Sequence, residues 1–182
     1  MAQYNPDRHH RRSIRLKGYD YALPGAYFVT LNTWHGKHLF GRIVDDKMQL
    51  TEYGEIVRTC WDETLAHFSR VELDTFVVMP NHVHLVIILT DSRGTVPRLT
   101  CAPTPTFGKP IPDSLPTIIR SLKSAITKRI NELRDTPGAP VWQRNYYEHI
   151  IRNEHELDAV RRYIINNPAN WNKDTENAEA NK

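Results

Sequence analysis

The chain has 182 residues, of which 40% are hydrophobic and 25% charged, with a formal net charge of +3 at pH 7; that length fits one domain with a proper core. Two cysteines, Cys60 and Cys101, are too few for a disulfide framework and lack metal-ligand spacing, which suits a reducing cytoplasm. No N-terminal stretch has the character of a signal peptide, and the longest apolar run, residues 83–89, is far too short to cross a bilayer, so no membrane partner is expected.

Residues 1–20 form a polar arm, expected to be extended, in which Arg8, Arg11, Arg12, Arg15 and Lys17 crowd together with His9 and His10. Residues 27–34 (YFVTLNTW) read as a strand, and residues 39–50 as a hairpin turning at Asp45-Asp46. A first helix follows, with Thr51 as N-cap and Ile56, Val57, Cys60, Trp61, Thr64, Leu65 and Phe68 at helical spacing. Residues 71–79 and 82–90 read as two strands joined by a turn at Pro80-Asn81. Residues 91–116 hold six of the twelve prolines and form a long irregular excursion. A second helix over about residues 117–134 buries Ile118, Leu122, Ala125, Ile126, Ile130 and Leu133, and carries Arg120, Lys123, Lys128, Arg129 and Arg134 elsewhere. Residues 142–152 read as extended. The last helix opens on a capping box, Asn153 with Glu156, and stops at Pro168. A polar tail, residues 171–182, is expected to fray. The central unit, residues 21–170, thus reads strand, helix, strand, strand, helix, strand and a final helix. That order suggests an α+β sandwich of the ferredoxin-like type: a central antiparallel sheet with helices on one face, plus a C-terminal helix.

The chemistry starts in residues 78–87 (VMPNHVHLVI). Side chains alternate along a strand, so His82 and His84 share one face while Val83 and Leu85 share the other. Two imidazoles on one face are half of a metal site. On the last helix Leu157, Val160 and Ile164 make the buried stripe, and Tyr163 and Asn167, four apart, lie together on its flank. Packed beside the histidine strand, that helix would bring a phenol and an amide oxygen to the imidazoles. Such a mixed set suits Mg²⁺ or Mn²⁺, although imidazole accepts Zn²⁺ as well. A phenol there can attack phosphorus, with a divalent ion polarising the phosphate.

Residues 78–87, followed across a helix by residues 142–153 (WQRNYYEHIIRN) and 160–168 (VRRYIINNP), resemble the single-tyrosine transposases with a His-hydrophobic-His motif, and most of all the REP-associated tyrosine transposases. The resemblance spans roughly residues 11–170. It implies cleavage and transfer of single-stranded DNA near hairpins, a divalent metal, and a 5′-phosphotyrosine intermediate with a free 3′-hydroxyl. His82 and His84 then stand at the metal-ligand positions and Tyr163 at the nucleophile position. Insertion-sequence relatives carry Gln four residues after the tyrosine as third ligand; this chain has Asn167, one methylene shorter. Candidate DNA contacts are Arg11, Arg12, Arg15 and Lys17 on the arm, Arg120 and Lys123 on the second helix, and Arg144 and Arg152 at the strand ends. Monomer and homodimer are both compatible with the resemblance.

Two other readings compete. A metal-dependent nuclease could use the histidines with an activated water and form no covalent adduct. A non-catalytic single-strand binder could stack bases on strand aromatics such as Tyr27 and Phe28, though no RNP-type pattern is present. Tyr146 and Tyr147 compete with Tyr163 for the nucleophile role, and the bland reading of His149 is a hydrogen-bonded structural histidine.

Overall fold

The computed structural model of the chain describes residues 19–91 and 111–177. The basic arm and most of the proline-rich excursion, with Arg11, Arg12, Arg15 and Lys17, therefore lie outside the described residues. Among the described residues, six strands and three α-helices follow in the order β1 (Gly25–Asn32), β2 (Gly41–Val44), β3 (Lys47–Leu50), α1 (Glu52–Asp62), β4 (Val71–Val78), β5 (His82–Leu89), α2 (Leu115–Leu133), β6 (Tyr147–Ile151) and α3 (Glu154–Asn166). Four strands make one antiparallel sheet in the order β4-β5-β1-β6, and β2-β3 form a separate hairpin. This is the expected α+β architecture.

Local chemistry explains most of the elements. The β2-β3 hairpin turns at Asp45 and Asp46, whose φ values of 50° and 58° are the left-handed pair that a two-residue turn requires. Thr51 caps α1 by accepting from the Gly54 amide. Gly54 has to be glycine, because a Cβ there would stand 2.3 Å from the Phe40 carbonyl oxygen. Asn153 caps α3 through the Glu156 amide, and the Glu156 carboxylate accepts in return from the Arg152 amide.

The two faces of the sheet are covered differently. Odd residues of β5 (Val83, Leu85, Ile87, Leu89) join Tyr27, Val29 and Leu31 of β1 in a core beneath α1 and α2. On the other face Val86 and Ile151 pack against Leu157 and Ile164 of α3. Two helix boundaries and some burial assignments differ from the sequence expectation. Helix α2 begins at Leu115 with Pro116 in its first turn, where proline's missing N–H costs nothing. On that helix Ile119 is buried, whereas Ala125 is exposed and Leu133 half exposed; only part of a 19-residue helix can rest on so small a sheet. Leu65 is likewise exposed, because α1 ends at Asp62 and the chain continues as a 3-10 turn.

The larger correction concerns the C-terminus. Pro168 ends α3, but residues 168–173 continue as a 3-10 helix, and Trp171, Asp174 and Asn177 are buried. The supposedly frayed tail folds back onto the sheet through at least residue 177. It is held by hydrogen bonds from Asn32 to the Glu176 carboxylate (2.8 Å) and from Asn81 to the Glu176 carbonyl (2.7 Å).

Candidate metal and tyrosine site

Register decides what surrounds the histidines. Antiparallel pairing sets Asn32 opposite His82 and Thr30 opposite His84. Both imidazoles are buried, and both Nδ1 atoms are occupied: His82 Nδ1 lies 2.9 Å from Asn81 Oδ1, and His84 Nδ1 lies 2.9 Å from Thr30 Oγ1. The Asn81 carbonyl can only accept, so His82 carries its proton on Nδ1 and presents a bare Nε2. The two Nε2 atoms converge to 3.0 Å. Two nitrogens bound at right angles to one ion at ~2.1 Å would stand ~3.0 Å apart, so the spacing fits joint ligation.

Oxygen donors complete the cluster. Asp174 Oδ2 is 3.8 Å from His82 Nε2, and ligand atoms of His82, His84 and Asp174 all lie within 4.8 Å of one another, a group able to hold a metal ion. Asn167 donates its Nδ2 to Asp174 Oδ2 at 2.9 Å, and its Oδ1 is buried with no hydrogen-bond partner among the described residues. An orphaned buried carbonyl oxygen, on the residue that also bonds Asp174, next to two converging imidazole nitrogens is what a cation site with oxygen ligands demands. The donor set therefore fits a divalent ion.

Burial pushes His82 down to about 4, against the opposing pull of the Asp174 carboxylate and the Asn167 amide, and it pushes His84 further down with the help of His82. Both rings are neutral at pH 7 and free to ligate. Burial, aided by the Asp174 charge, raises the Tyr163 phenol above its ordinary value, so it is protonated at neutral pH.

The phenol arrives from the same chain. Tyr163 Oη lies 3.2 Å from His84 Nε2, with the side chain 48% exposed. Its ring stands edge-on to Phe28, 6.1 Å away. Helix α3 is pinned in this position by Arg161, whose guanidinium grips Asp74 at 2.5 and 2.9 Å. Asp74 reaches it because β4 breaks register with β5 between Leu73 and Phe76.

The other candidates fall elsewhere. Tyr146 packs against the core, and Tyr147 is exposed on the edge strand beside Phe28. His149 pairs with Glu156 at 2.7 Å, in line with a structural role. Arg120, Arg144 and Arg152 are exposed. Lys123 lies on α2 beneath the opposite face of the sheet, tied to the carbonyls of Gln143 and Asn145. Sequence reasoning missed Asp174, Asn81 and Thr30. For the last two, the strand register next to the motif held the signal; for Asp174 no local signal exists.

No model of a known protein family matches the chain. An uncharacterized protein of Haemophilus influenzae is 40% identical over 179 residues, covering 94% of this chain and 96% of its own. A second protein of that organism, named provisionally a REP-associated tyrosine transposase, is 23% identical over 151 residues, covering 82% of this chain and 73% of its own. Among solved structures, a REP-associated tyrosine transposase bound to a REP hairpin superposes with a TM-score of 0.59 at 19% identity, covering 88% of this chain and 74% of that one; the two share a fold.

Proposed function

We propose that the chain is a relative of the REP-associated tyrosine transposases, to one of which it is similar at 23% identity, and that it cleaves and rejoins single-stranded DNA at hairpin-forming sequences, with Tyr163 as nucleophile. The observation that carries this reading is the phenol oxygen 3.2 Å from His84 Nε2 at the edge of a buried two-histidine cluster. The relative bound to a REP hairpin supports the choice of DNA structure.

In this reading His82 and His84 would hold a divalent cation through Nε2, with Asn167 Oδ1 and the Asp174 carboxylate available as oxygen donors. Such an ion, Mg²⁺ or Mn²⁺, supplies Lewis acidity to the phosphate and offsets charge on the departing oxygen. Asn81 fixes the His82 tautomer from behind, and Thr30 orients the His84 ring through its Nδ1. Tyr163 Oη forms a bond to phosphorus, and the bond from phosphorus to the 3′-oxygen breaks. The phenolic proton is lost to solvent, which reaches the half-exposed ring, and the 3′-oxygen takes up a proton to become a free hydroxyl. The 5′-phosphate stays on the tyrosine, so bond energy is kept for rejoining to a 3′-hydroxyl. Arg161, through Asp74, holds α3 so that Tyr163 serves its own chain's histidines, and one chain carries the whole set.

The test is incubation of labelled hairpin-bearing single strands with Mg²⁺ or Mn²⁺, scoring a denaturant-resistant protein–DNA band. Wild type gives the band, chelator abolishes it, and Tyr163→Phe binds the hairpin but forms none. Cleavage with no adduct would instead favour hydrolysis by an activated water.

A further inference from the structure

The segment that follows α3, residues 168–177, is held against the sheet mostly by polar groups. Trp171 is its one buried apolar side chain, lying against His38 and His82 with ring centroids 5.7 and 6.0 Å away. Ordering such a segment costs more conformational entropy than the burial of one indole recovers, so polar ties must supply the rest. They converge on two acids. Asp174 Oδ2 accepts from Asn167 Nδ2 at 2.9 Å, and its Oδ1 accepts from the Glu176 amide at 2.8 Å. Glu176 is bonded in turn to Asn32 through its carboxylate and to Asn81 through its carbonyl.

Two features couple this segment to the histidines. First, the Asp174 carboxylate is buried, and no lysine or arginine pairs with it among the described residues. The basic ring it meets is His82, whose Nδ1 donates to Asn81 and whose bare Nε2 faces Asp174 Oδ2 across 3.8 Å. Two lone-pair donors that face each other in a buried site repel unless a cation lies between them, so docking of Asp174 is costly on its own and favourable with an ion present. Second, the amides that set the ligand geometry also set the segment. Asn81 orients His82 with its oxygen and holds the Glu176 carbonyl with its nitrogen. Asn167, at the joint between α3 and the segment, grips Asp174 with its nitrogen while its own oxygen is buried without a partner.

We propose that residues 168–177 form an ion-responsive strap: Asp174 is a metal ligand carried by a segment that docks when a divalent cation binds and loosens when the cation leaves. Docking and ion binding are then two halves of one equilibrium, and each strengthens the other by the same factor. This proposal rests on the cation site of the reading above, and it adds that the site is completed by a detachable segment instead of being preformed on the sheet.

The experiment follows amide hydrogen exchange of the full chain by mass spectrometry, in EDTA and in Mn²⁺, beside calorimetric titration with Mn²⁺. The reporting amides are those of Asp174, Glu176 and Asn177, which donate to the Trp171 carbonyl, the Asp174 carboxylate and the Asp174 carbonyl. With Mn²⁺ about 100-fold above its dissociation constant, their exchange should slow by about 10- to 100-fold, while amides of α2 stay unchanged. Asp174→Asn should abolish that slowing and weaken Mn²⁺ binding by about 10-fold or more. Glu176→Ala cuts the tie to Asn32 without touching a ligand; it should speed exchange of the strap in EDTA and weaken Mn²⁺ binding by about 5-fold or more, the reciprocal effect. Strap exchange that ignores Mn²⁺ in wild type, slowing that survives Asp174→Asn, or Mn²⁺ affinity unmoved by Glu176→Ala would overturn the strap. These readouts need no DNA. Adducts that form in Mn²⁺ while strap exchange ignores the ion leave the tyrosine chemistry standing and sink the strap alone; ion-dependent exchange without adducts does the reverse.

Discussion

The two faces of β5 are built on opposite logic. Its odd residues, Val83, Leu85, Ile87 and Leu89, are fully desolvated among apolar partners from β1, α1 and α2. Its even residues begin with His82 and His84, just as buried but committed to polar partners, before giving way to Val86 under α3. Burial of the first kind stabilises the chain at roughly 25 cal/mol per Å² of apolar surface. Burial of the second kind costs solvation, and only aimed hydrogen bonds or a ligand compensate for it. One strand thus separates stability from chemistry by side-chain parity.

That contrast can be broken in order of expected effect. Tyr163→Phe should reduce adduct formation by about three orders of magnitude or more, while the melting temperature stays within a degree or so, since the ring contact with Phe28 persists. A melting temperature that falls with activity would mean the phenol is structural. On the opposite face, Leu85→Ala should cost about 2–5 kcal/mol in urea denaturation with no selective effect on metal affinity. Thr30→Val, which keeps the side chain's shape but leaves the buried His84 Nδ1 without its partner, should weaken Mn²⁺ binding by about 10- to 100-fold in calorimetry and cost about 1–3 kcal/mol in urea denaturation.

Acid gives a finer probe. Both imidazoles sit below their ordinary value in the folded chain, so the unfolded chain takes up protons first as the pH falls. Stability from this source is complete above about pH 6.5 and is lost as the pH drops toward about 4, where His82 titrates in the fold. Thermal melts across that window in EDTA should slope downward for wild type and less steeply for His82→Asn; a flat wild-type profile would contradict the burial argument. The smallest effect sharpens the role of the arm. Deleting residues 1–17 should weaken hairpin binding and reduce its salt dependence, read as a shallower slope of log affinity against log salt.

Much of the site was legible because it is local. The HVH alternation, the capping box at Asn153 and Glu156, and the four-residue spacing from Tyr163 to Asn167 are patterns within one strand or one turn, where backbone geometry alone fixes which side chains share a face. Asp174 was not legible, since it reaches the histidines only through the folding of the C-terminal tail and no local pattern marks it. Asn167 shows the boundary between the two cases. Its place on the helix follows from spacing, but its orphaned oxygen and its bond to Asp174 appear only once the tail is folded back.

By itself the sequence determined which residues form β5 and α3, which faces they turn inward, and that two imidazoles would lie side by side, because these depend on periodicities of two and 3.6 residues. Only the tertiary structure decided that α3 sets Tyr163 beside His84 in its own chain, and that Asp174 closes the cluster. Both depend on contacts between groups distant along the chain: Arg161 with the Asp74 of a register break, and Asn32 and Asn81 with Glu176 of the returning tail. Their free energy is gained only when the sheet is already assembled, so no local pattern of residues encodes them.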